Sequence, residues 1–266
     1  MIEAFRVLAE AEDLPRWDVP EALASLYGVI GLDEPCVVAN FVESLDGVVA
    51  VPRLPRSHAV IGDDSEADQF VLALVRACAD AVVVGSGTLL ASPNGTWRVD
   101  RAYPEAAGAF LELRARRGRP EQPLVVVVTT GASLDPAHPV LESGALVLTT
   151  EGAAVRLRAS VPGASEVVAV NDGDIVELAR AIDLLRDRGC PVVLTEAGPS
   201  MFGSLVASKL VDELFLTVSP VLAGRAATAR LGLVEGVELI PQTRVAGRLR
   251  SVRAHGSHLF LRYSLR

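Results

Sequence analysis

The chain has 266 residues, half of them hydrophobic and 22% charged, so it can bury a substantial core and is neither disordered nor fibrous. A net charge of −8 argues against nucleic acid or an anionic membrane as the main partner. No apolar run approaches the roughly 20 residues of a membrane helix, and the N-terminus lacks the pattern of a secretion signal. The odd number of cysteines (Cys36, Cys78 and Cys190) predicts buried free thiols. We therefore expect a cytoplasmic protein with no nucleic-acid or membrane partner.

The N-terminal part of the chain predicts an extension, two short strands and a helix. Residues 1–34 predict an irregular or helical extension over the core. The runs "CVVANFV" (36–42) and "VVAV" (48–51) predict strands on either side of a turn. Ser65, with Asp68 three residues later, predicts the start of a helix.

The middle of the chain alternates short apolar runs with capped helices. The predicted strands are 81–85, 124–130, 145–150 and 166–170. One predicted helix is 104–118, opened by a proline and ended by a glycine, and a second begins at Asp174 and stops before Gly189. Asp174 with Glu177 caps the second helix, and Ile175 begins its apolar face. A loop with two prolines is predicted at 52–62.

The C-terminal part predicts a strand–helix–strand unit over 192–220 and then a hairpin. The hairpin strands are 243–254 and 257–264, with His255-Gly256 between them. Antiparallel strands therefore join a largely parallel sheet. The expected fold is one α/β domain with a mixed, mostly parallel central sheet flanked by helices.

Two of the predicted strands end in the same way. "AVVVGSGTLL" leaves its strand through residues 85–88, and "VVLTEAGPSMFG" leaves its strand through residues 198–200. Glycine lets backbone approach a ligand, and a following helix offers unpaired N–H groups and a positive dipole end. Ligands of open α/β sheets lie beyond the carboxyl ends of the strands. We predict a diphosphate at these turns, although either turn alone is also what an ordinary strand-to-helix connection requires.

Glu196 fits neither of these readings, because phosphate binding does not require a carboxylate. Its position at the end of a buried strand predicts contact with a substrate or with the edge of a nicotinamide ring.

Three stretches resemble one family: "NFVESLDGVVAV", "LVRACADAVVVGSGTLLASP" and "VVLTEAGPSMFGSLVASKLVDELFLTVSPVLAG". They are similar, in order and spacing, to the reductase domain of bacterial riboflavin-biosynthesis deaminase-reductases (RibD-type), whose fold is related to dihydrofolate reductase. The resemblance covers roughly 35–264. It implies NADPH as hydride donor and a 5-amino-6-(ribosylamino)uracil-type substrate, whose ribose opens to an imine and is reduced to a ribityl chain.

The resemblance also implies site residues. The implied cofactor-binding residues are Gly85, Ser86, Gly87, Thr88, Ala197, Gly198, Pro199, Ser200 and Met201. The implied catalytic residues are Asp46 and Glu196, and the implied substrate-binding residues are Asn40 and Ser44. No metal ligand is implied.

The chain departs from the family pattern in two respects. Asn40 stands where the bifunctional enzymes often have lysine. A neutral amide can hydrogen-bond a pyrimidine or a pterin, so a dihydrofolate or pterin reductase stays open as an alternative. No His-x-Glu or Pro-Cys-x-x-Cys occurs for a zinc deaminase, and we expect one reductase domain over 1–266, with 1–34 as an extension and 35–266 as the core. A noncatalytic nucleotide-binding protein is a further alternative, which would need neither Asp46 nor Glu196.

Three further features have both a functional and a plain reading. Arg114, Arg116, Arg117 and Arg119 could meet a 2′-phosphate, but such runs more often follow a helix C-terminus. Trp97 could cover a pocket or only pack in a loop. Lys209, the only lysine, is expected to reach solvent.

A homodimer is expected from the C-terminal strands. Residues 214–219 alternate so that one face is strongly apolar, and the hairpin would leave an open edge in a monomer. The resembling family also forms dimers through these strands. The alternative is that residues 1–34 cover the edge within one chain.

Overall fold

The structure is a computed structural model that describes residues 1–52, 54, 56–225 and 229–266. Within these residues a single 10-stranded sheet forms the centre of the molecule. Its strands are β1 (Arg6–Glu10), β2 (Cys36–Glu43), β3 (Ala81–Gly85), β4 (Leu124–Val128), β5 (Leu146–Thr150), β6 (Glu166–Asn171), β7 (Val192–Thr195), β8 (Glu213–Val218), β9 (Arg248–His255) and β10 (His258–Ser264). The helices are α1 (Glu21–Tyr27), α2 (Ser57–Ile61), α3 (Glu66–Cys78), α4 (Ser86–Ala91), α5 (Val99–Ala102), α6 (Ala107–Arg116), α7 (Pro139–Glu142), α8 (Glu151–Ser160), α9 (Leu178–Asp187) and α10 (Pro199–Ala207), with a 3₁₀ turn at Pro104–Ala106.

The sheet is mixed, with the strand order β1-β9-β10-β8-β2-β7-β3-β4-β5-β6. The strands from β8 to β6 in this order run parallel to one another. β10, β9 and β1 are antiparallel and extend the sheet beyond β8. The predicted fold class, mostly parallel with antiparallel C-terminal strands, is confirmed.

Helices cover both faces of the parallel strands. On one face, α3 and α6 pack against the sheet through a cluster that includes Phe70, Leu74 and Phe110, with Val82 and Leu194 from the strands. On the other face, α9 and α10 pack against the same strands. Because both faces are covered, most residues of the parallel strands are apolar, as their sequences predict.

Local capping predictions are confirmed at three helices. The Ser65 hydroxyl accepts a hydrogen bond from the Asp68 N–H at 3.3 Å, as an N-cap does. Gly118 follows the end of α6 with φ of +65°, a conformation that suits glycine. Pro199 is the first residue of α10, where its missing N–H costs nothing.

The strand predicted at 48–51 does not form. The chain turns back on itself there, because the Ser44 N–H donates to the Val48 carbonyl at 3.0 Å. Among the described residues, the segment pairs with another one only at Leu231, which bridges to Ala50 and accepts a hydrogen bond from the Val49 N–H at 2.9 Å. Val48 is nevertheless fully buried, so its apolar character serves packing and not a β-ladder. In the loop predicted at 52–62, residues 53 and 55 lie outside the described residues, and α2 occupies the end of the loop.

The helix predicted from Asp174 begins later, at Leu178. The Asn171 side chain explains the delay, since its amide donates to the Ile175 carbonyl at 2.8 Å and its oxygen accepts from the Glu177 N–H at 3.0 Å. These bonds hold 171–177 as a loop. Asp174 therefore caps nothing, and Ile175 is 75% exposed instead of belonging to the apolar face.

The two ends of the chain meet in the antiparallel part of the sheet. The first hairpin strand begins at Arg248 and not at residue 243. The N-terminal extension contains β1, which pairs antiparallel with β9 and so covers its outer edge. An open hairpin edge, one argument for a dimer, is therefore absent among the described residues.

Candidate active site at the carboxyl edge of the sheet

The parallel strands β2, β7, β3, β4 and β5 end along one side of the sheet, which we call the carboxyl edge. Every predicted site residue lies at this edge or in the turn that directly follows one of its strands. In parallel sheets the loops and helix N-termini at this edge build the ligand site.

The two glycine-containing turns lie side by side. β3 and β7 are neighbours, and the Glu196 N–H continues their ladder by donating to the Val83 carbonyl at 3.0 Å. A Cβ atom at Gly85 would lie 3.2 Å from the Met201 methyl carbon. The turn after β3 and the turn after β7 therefore form one continuous surface.

The N-terminus of α10 is open. Gly198 precedes it with φ of −65° and ψ of 169°, and a Cβ atom there would meet nothing within 4 Å. Gly198 accepts a hydrogen bond from the Phe202 N–H, whereas the N–H groups of Ser200 and Met201 make none within the described part of the chain. Unpaired N–H groups beside open space are the features that bind a phosphate group.

The turn after β3 is a less clear phosphate-binding site than the N-terminus of α10. α4 has only six residues, and its second residue, Gly87, also faces open space. The hydroxyls of Ser86 and Ser133 are 2.8 Å apart, so this turn contacts the loop after β4. Thr88 lies in the first turn of α4. After β7, the Ala197 N–H donates to the Thr195 hydroxyl at 3.3 Å, which shapes the approach to Gly198.

Glu196 is paired with Arg76 of α3. Arg76 Nε and Nη2 donate to the two carboxylate oxygens at 2.6 and 2.7 Å, a bidentate geometry. Both side chains are 11% exposed. The carboxylate is therefore fixed in orientation, and each oxygen keeps capacity for one more hydrogen bond.

Asn40 lies beside Glu196. Ala39 of β2 pairs with Thr195 of β7, so the next residues of the two strands are at the same level of the carboxyl edge. Asn40 alternates with the residues that face α9 and α10 and thus shares the α3 face with Glu196. Its Oδ1 atom is buried and has no hydrogen-bond partner among the residues that the structure describes. Buried polar atoms rarely stay unpaired, which marks this position as one that fits a donor group of a ligand.

Asp46 and Ser44 stabilise the turn after β2. The Asp46 carboxylate accepts hydrogen bonds from the Ser44 hydroxyl at 2.6 Å and from the N–H groups of Ala223 and Gly224 at 2.9 Å each. The hydrogen bond from Ser44, followed by that from the Ala223 N–H, lowers the pKa of Asp46 to about 2. Asp46 is therefore an anion at neutral pH and holds the loop that follows β8.

The arginine cluster at the C-terminal end of α6 lies away from the carboxyl edge. Arg114 donates to the Ala79 carbonyl and closes the end of α3, while Arg119 pairs with Asp80, which precedes β3. Arg116 and Arg117 pair with carboxylates as well. The cluster follows a helix C-terminus, as its plain reading states, and does not meet the predicted cofactor turns.

Two other side chains follow their plain readings. Trp97 is buried and packs beside His138, with ring centroids 6.0 Å apart. Lys209 is exposed just after α10. All three cysteines are free and buried, as predicted.

Sequence reasoning missed two ionisable residues near the site. Arg76 interrupts the apolar run "FVLALVRAC", and such an isolated charge in a buried helix indicates a partner. Asp68 lies in the first turn of the same helix, where burial raises its pKa to about 6 against the opposing effect of the Thr217 hydroxyl. Nothing in the sequence around Asp68 distinguishes it from an ordinary first-turn acid.

Two small concave features lie near the edge. A cavity of about 10 Å³ lies between α9, α10 and the sheet, room for roughly one water molecule. A second space of about 100 Å³ lies between α4 and residues 135–139. In the described residues, no group of three or more His, Cys, Asp or Glu could hold a metal ion. None of the helices described is long and apolar enough to span a bilayer.

Fold and site together define an α/β protein with an open helix N-terminus and a fixed carboxylate at the carboxyl edge of a mixed sheet. The sequence profile described as the RibD C-terminal domain matches residues 35–260. The chain therefore belongs to the RibD C-terminal domain family.

Named relatives agree with this membership. The chain is 28% identical to the 2,5-diamino-6-ribosylamino-4(3H)-pyrimidinone 5′-phosphate reductase of Archaeoglobus fulgidus, over 71% of this chain and 82% of that protein. It is 26% identical to the riboflavin biosynthesis protein RibD of Bacillus amyloliquefaciens, over 71% of this chain but only 47% of that protein. The chain thus spans about half the length of that RibD protein.

Solved structures share the fold. A pyrimidine reductase-like protein from Corynebacterium diphtheriae superposes with a TM-score of 0.66 at 22% identity, covering 91% of this chain and 98% of that one. RibD of Acinetobacter baumannii superposes with a TM-score of 0.65 at 20% identity, covering 87% of this chain and 58% of that one. The predicted family is confirmed, and with it the dihydrofolate reductase-like fold.

Proposed function

We propose that the chain is an NADPH-dependent reductase of the riboflavin pathway that acts on a ribosylamino-pyrimidine and converts its ribose to a ribityl chain. Membership in the RibD C-terminal domain family and the name of the Archaeoglobus fulgidus relative support this proposal. The main structural support is that the turns after β3 and β7 form one continuous surface. This surface ends at Glu196 and Asn40.

The residues at this surface fit a dinucleotide. The open space at Gly198 and Gly87 admits phosphate oxygens close to the backbone, and the N–H groups of Ser200 and Met201 are donors that no described residue engages. NADPH bound there would supply the hydride. Its diphosphate would lie at the N-terminus of α10, with its nicotinamide end toward Glu196.

Side chains at the carboxyl edge would orient the substrate. Arg76 fixes the Glu196 carboxylate, whose free lone pairs can accept hydrogen bonds from substrate hydroxyl or N–H groups. Asn40 offers an amide to the edge of the heterocycle. Asp46, already an anion, keeps the loop after β8 in place and has no proton to donate at neutral pH. Fixed polar groups of this kind lower a barrier by holding the reacting geometry.

A pterin such as dihydrofolate is a second candidate substrate, because Asn40 is neutral and no described residue hydrogen-bonds its Oδ1. Reduced-nicotinamide absorbance, followed with the ribosylamino-pyrimidine and with dihydrofolate in parallel, decides between them. Oxidation of NADPH with the pyrimidine alone supports the proposal, and oxidation with dihydrofolate alone overturns the assigned substrate. Tight NADPH binding without turnover of either would favour the noncatalytic alternative.

The variant Gly198→Val tests the cofactor position. The φ and ψ of Gly198 suit a β-branched residue, and the added Cβ meets nothing in the chain, so the variant should fold with an unchanged melting temperature. We expect its dissociation constant for NADPH, measured by calorimetry, to rise at least about tenfold, because the side chain would occupy space that the diphosphate needs.

Gly163→Val is the matched control, since Gly163 lies in the loop before β6 and also faces open space. This control should bind NADPH like the parent chain. An unchanged dissociation constant in Gly198→Val would move the diphosphate to another part of the molecule.

A further inference from the structure

The proposed cofactor differs from NADH only by a 2′-phosphate. The arginines that the sequence suggests for binding this phosphate do not lie near the cofactor turns. The arginine cluster 114–119 lies away from the carboxyl edge, and its charges are already engaged. A selective site requires a cation at the carboxyl edge, beyond the turns that hold the diphosphate.

A chain of contacts leads from α10 to such a cation. Met201 lies against Gly85, and the next residue, Ser86, contacts Ser133 in the loop after β4. In the same loop, the Thr130 carbonyl accepts a hydrogen bond from Arg156 Nη2 at 3.3 Å. These contacts follow the strand order β7-β3-β4-β5 along the carboxyl edge, since Arg156 belongs to α8, the helix that follows β5. With strands about 4.8 Å apart, the path from β7 to β5 spans roughly 14 Å.

The loop after β4 holds the Arg156 guanidinium at the carboxyl edge. Gly131 has φ of +84°, and a Cβ atom there would lie 3.0 Å from Arg156 Nη2. The absence of a side chain at residue 131 thus lets the guanidinium rest on the backbone. The Gly131 N–H donates to the Thr129 hydroxyl at 2.9 Å, which fixes the turn.

Arg156 also keeps its charge available. Many exposed arginines in this acidic chain pair with a carboxylate, as Arg188 does with Glu166. Arg156 has only the Thr130 carbonyl as partner within the described residues. An exposed guanidinium with free N–H groups is suited to a phosphate, which it can bind through two parallel hydrogen bonds.

We propose that Arg156 binds the 2′-phosphate of the cofactor and thereby selects NADPH over NADH. This inference rests on the proposed function, because a dinucleotide must lie with its diphosphate at α10 for its adenosine ribose to reach the loop after β4. An arginine in this role is a specificity-determining residue that touches the cofactor but takes no part in hydride transfer.

Binding measurements test the proposal without relying on turnover. Calorimetric titrations with NADPH, NADH, adenosine 2′,5′-bisphosphate and ADP are compared for the parent chain and for Arg156→Gln. We expect Arg156→Gln to bind NADPH and the 2′,5′-bisphosphate roughly ten- to a hundredfold more weakly, with NADH and ADP changed less than about twofold. Arg156→Lys, which keeps the charge but not the paired geometry, should recover part of the loss.

Arg158→Gln is the matched control. Arg158 lies two residues further along α8, makes no ion pair in the described chain, and directs its Nε to the Val167 carbonyl of β6. It should retain the NADPH preference of the parent chain. An unaltered ratio of NADPH to NADH affinity in Arg156→Gln, or a parent chain that binds NADH as tightly as NADPH, overturns the proposal.

The same titrations separate this inference from the proposed function. If Gly198→Val weakens both dinucleotides while Arg156→Gln weakens neither, the cofactor site stands and the role of Arg156 is wrong. If the parent chain binds neither dinucleotide, both the function and this inference fail.

Discussion

Glu196, a proposed catalytic residue, also has a structural role. Its bidentate pair with Arg76 ties the end of β7 to α3, which joins two elements that are distant in sequence. Because both side chains are largely buried, removing one charge leaves the other poorly solvated, and such changes destabilise more than the loss of a surface pair. The carboxylate therefore has a fixed position before any ligand arrives.

We predict that Glu196→Gln lowers kcat about a hundredfold, with the dissociation constant for NADPH changed less than about threefold. The amide keeps the shape but loses the charge and one acceptor, so it orients substrate groups less well. The melting temperature should also fall, because Arg76 loses its counter-charge. Steady-state kinetics well below the melting temperature, with calorimetry for the cofactor, measure the two effects separately.

Glu166→Gln provides the control for this prediction. Glu166 makes an equally bidentate pair with Arg188, both at 2.7 Å, but at the surface beside β6. Its loss should leave kcat unchanged and stability nearly so, since exposed pairs contribute little. A Glu196→Gln enzyme with normal kcat would remove Glu196 from the catalytic site.

At the scale of helices and strands, the sequence predicts features that depend on neighbouring residues. It does not predict features that depend on residues far away in the chain. The N-cap at Ser65 and the proline at the start of α10 depend on neighbouring residues, and both appear as expected. The loop at 171–177 depends on one asparagine side chain, and the sequence shows a cap there instead. The pairing of β1 with β9 depends on residues at the other end of the chain, so no local pattern reveals it.

The candidate site divides in the same way. The turns at 85–88 and 197–201 were found from their glycines and proline, and the structure brings them together. The partner of Glu196 is 120 residues away, and the partners of Asp46 are backbone N–H groups that any sequence would supply. The sequence does not indicate Arg156, because the position of its side chain depends on how the loop after β4 folds.

Asp68, in the first turn of α3, makes the free energy of unfolding depend on pH. Burial raises the pKa of Asp68 from 3.8 to about 6. Between pH of about 4 and 6 the folded chain binds this proton more readily than the unfolded chain, so the free energy of unfolding falls as pH rises through that window. Above it, an ionised Asp68 remains as a cost to folding.

We predict that Asp68→Asn raises the free energy of unfolding by about 1–3 kcal/mol at pH 7.5, and that the gain disappears near pH 4. The amide can still accept the Thr217 hydroxyl without a buried charge. Denaturant unfolding across this pH range measures the difference. Glu66→Gln, an exposed acid in the same turn, should show no such gain, and a gain in Asp68→Asn that is equal at both pH values would contradict the account.

At the scale of the whole molecule, the antiparallel strands present a half-covered apolar face. Leu259 is 39% exposed and Leu249 is 43% exposed, on the face where Leu261 and Tyr263 pack under residues 233–245. This face supports the expected homodimer better than an open edge does, because β1 already covers β9. Apolar faces of this kind are typical of contacts between identical subunits.

We predict a dimer at micromolar concentration and a monomer for Leu259→Glu, because a carboxylate at the centre of the contact would be buried without a partner. Light scattering or sedimentation equilibrium gives the mass. Ile175→Glu alters an equally apolar residue that is 75% exposed next to α9 and should stay dimeric. A parent chain with a mass near the 28.0 kDa of one copy would contradict the prediction.

The pairing of β1 with β9 also sets an order of events during synthesis. Glu10 and Arg253, which form a salt bridge between these strands, are 243 residues apart, so β1 leaves the ribosome long before its partner β9 has been made. Contacts this distant form late, because a long loop must close before they can stabilise anything. Until then Val7 and Leu8 remain an unpaired, partly apolar strand, the kind of segment that chaperones bind. β1 is thus translated well before β9 but reaches its final position only after β9 has been made.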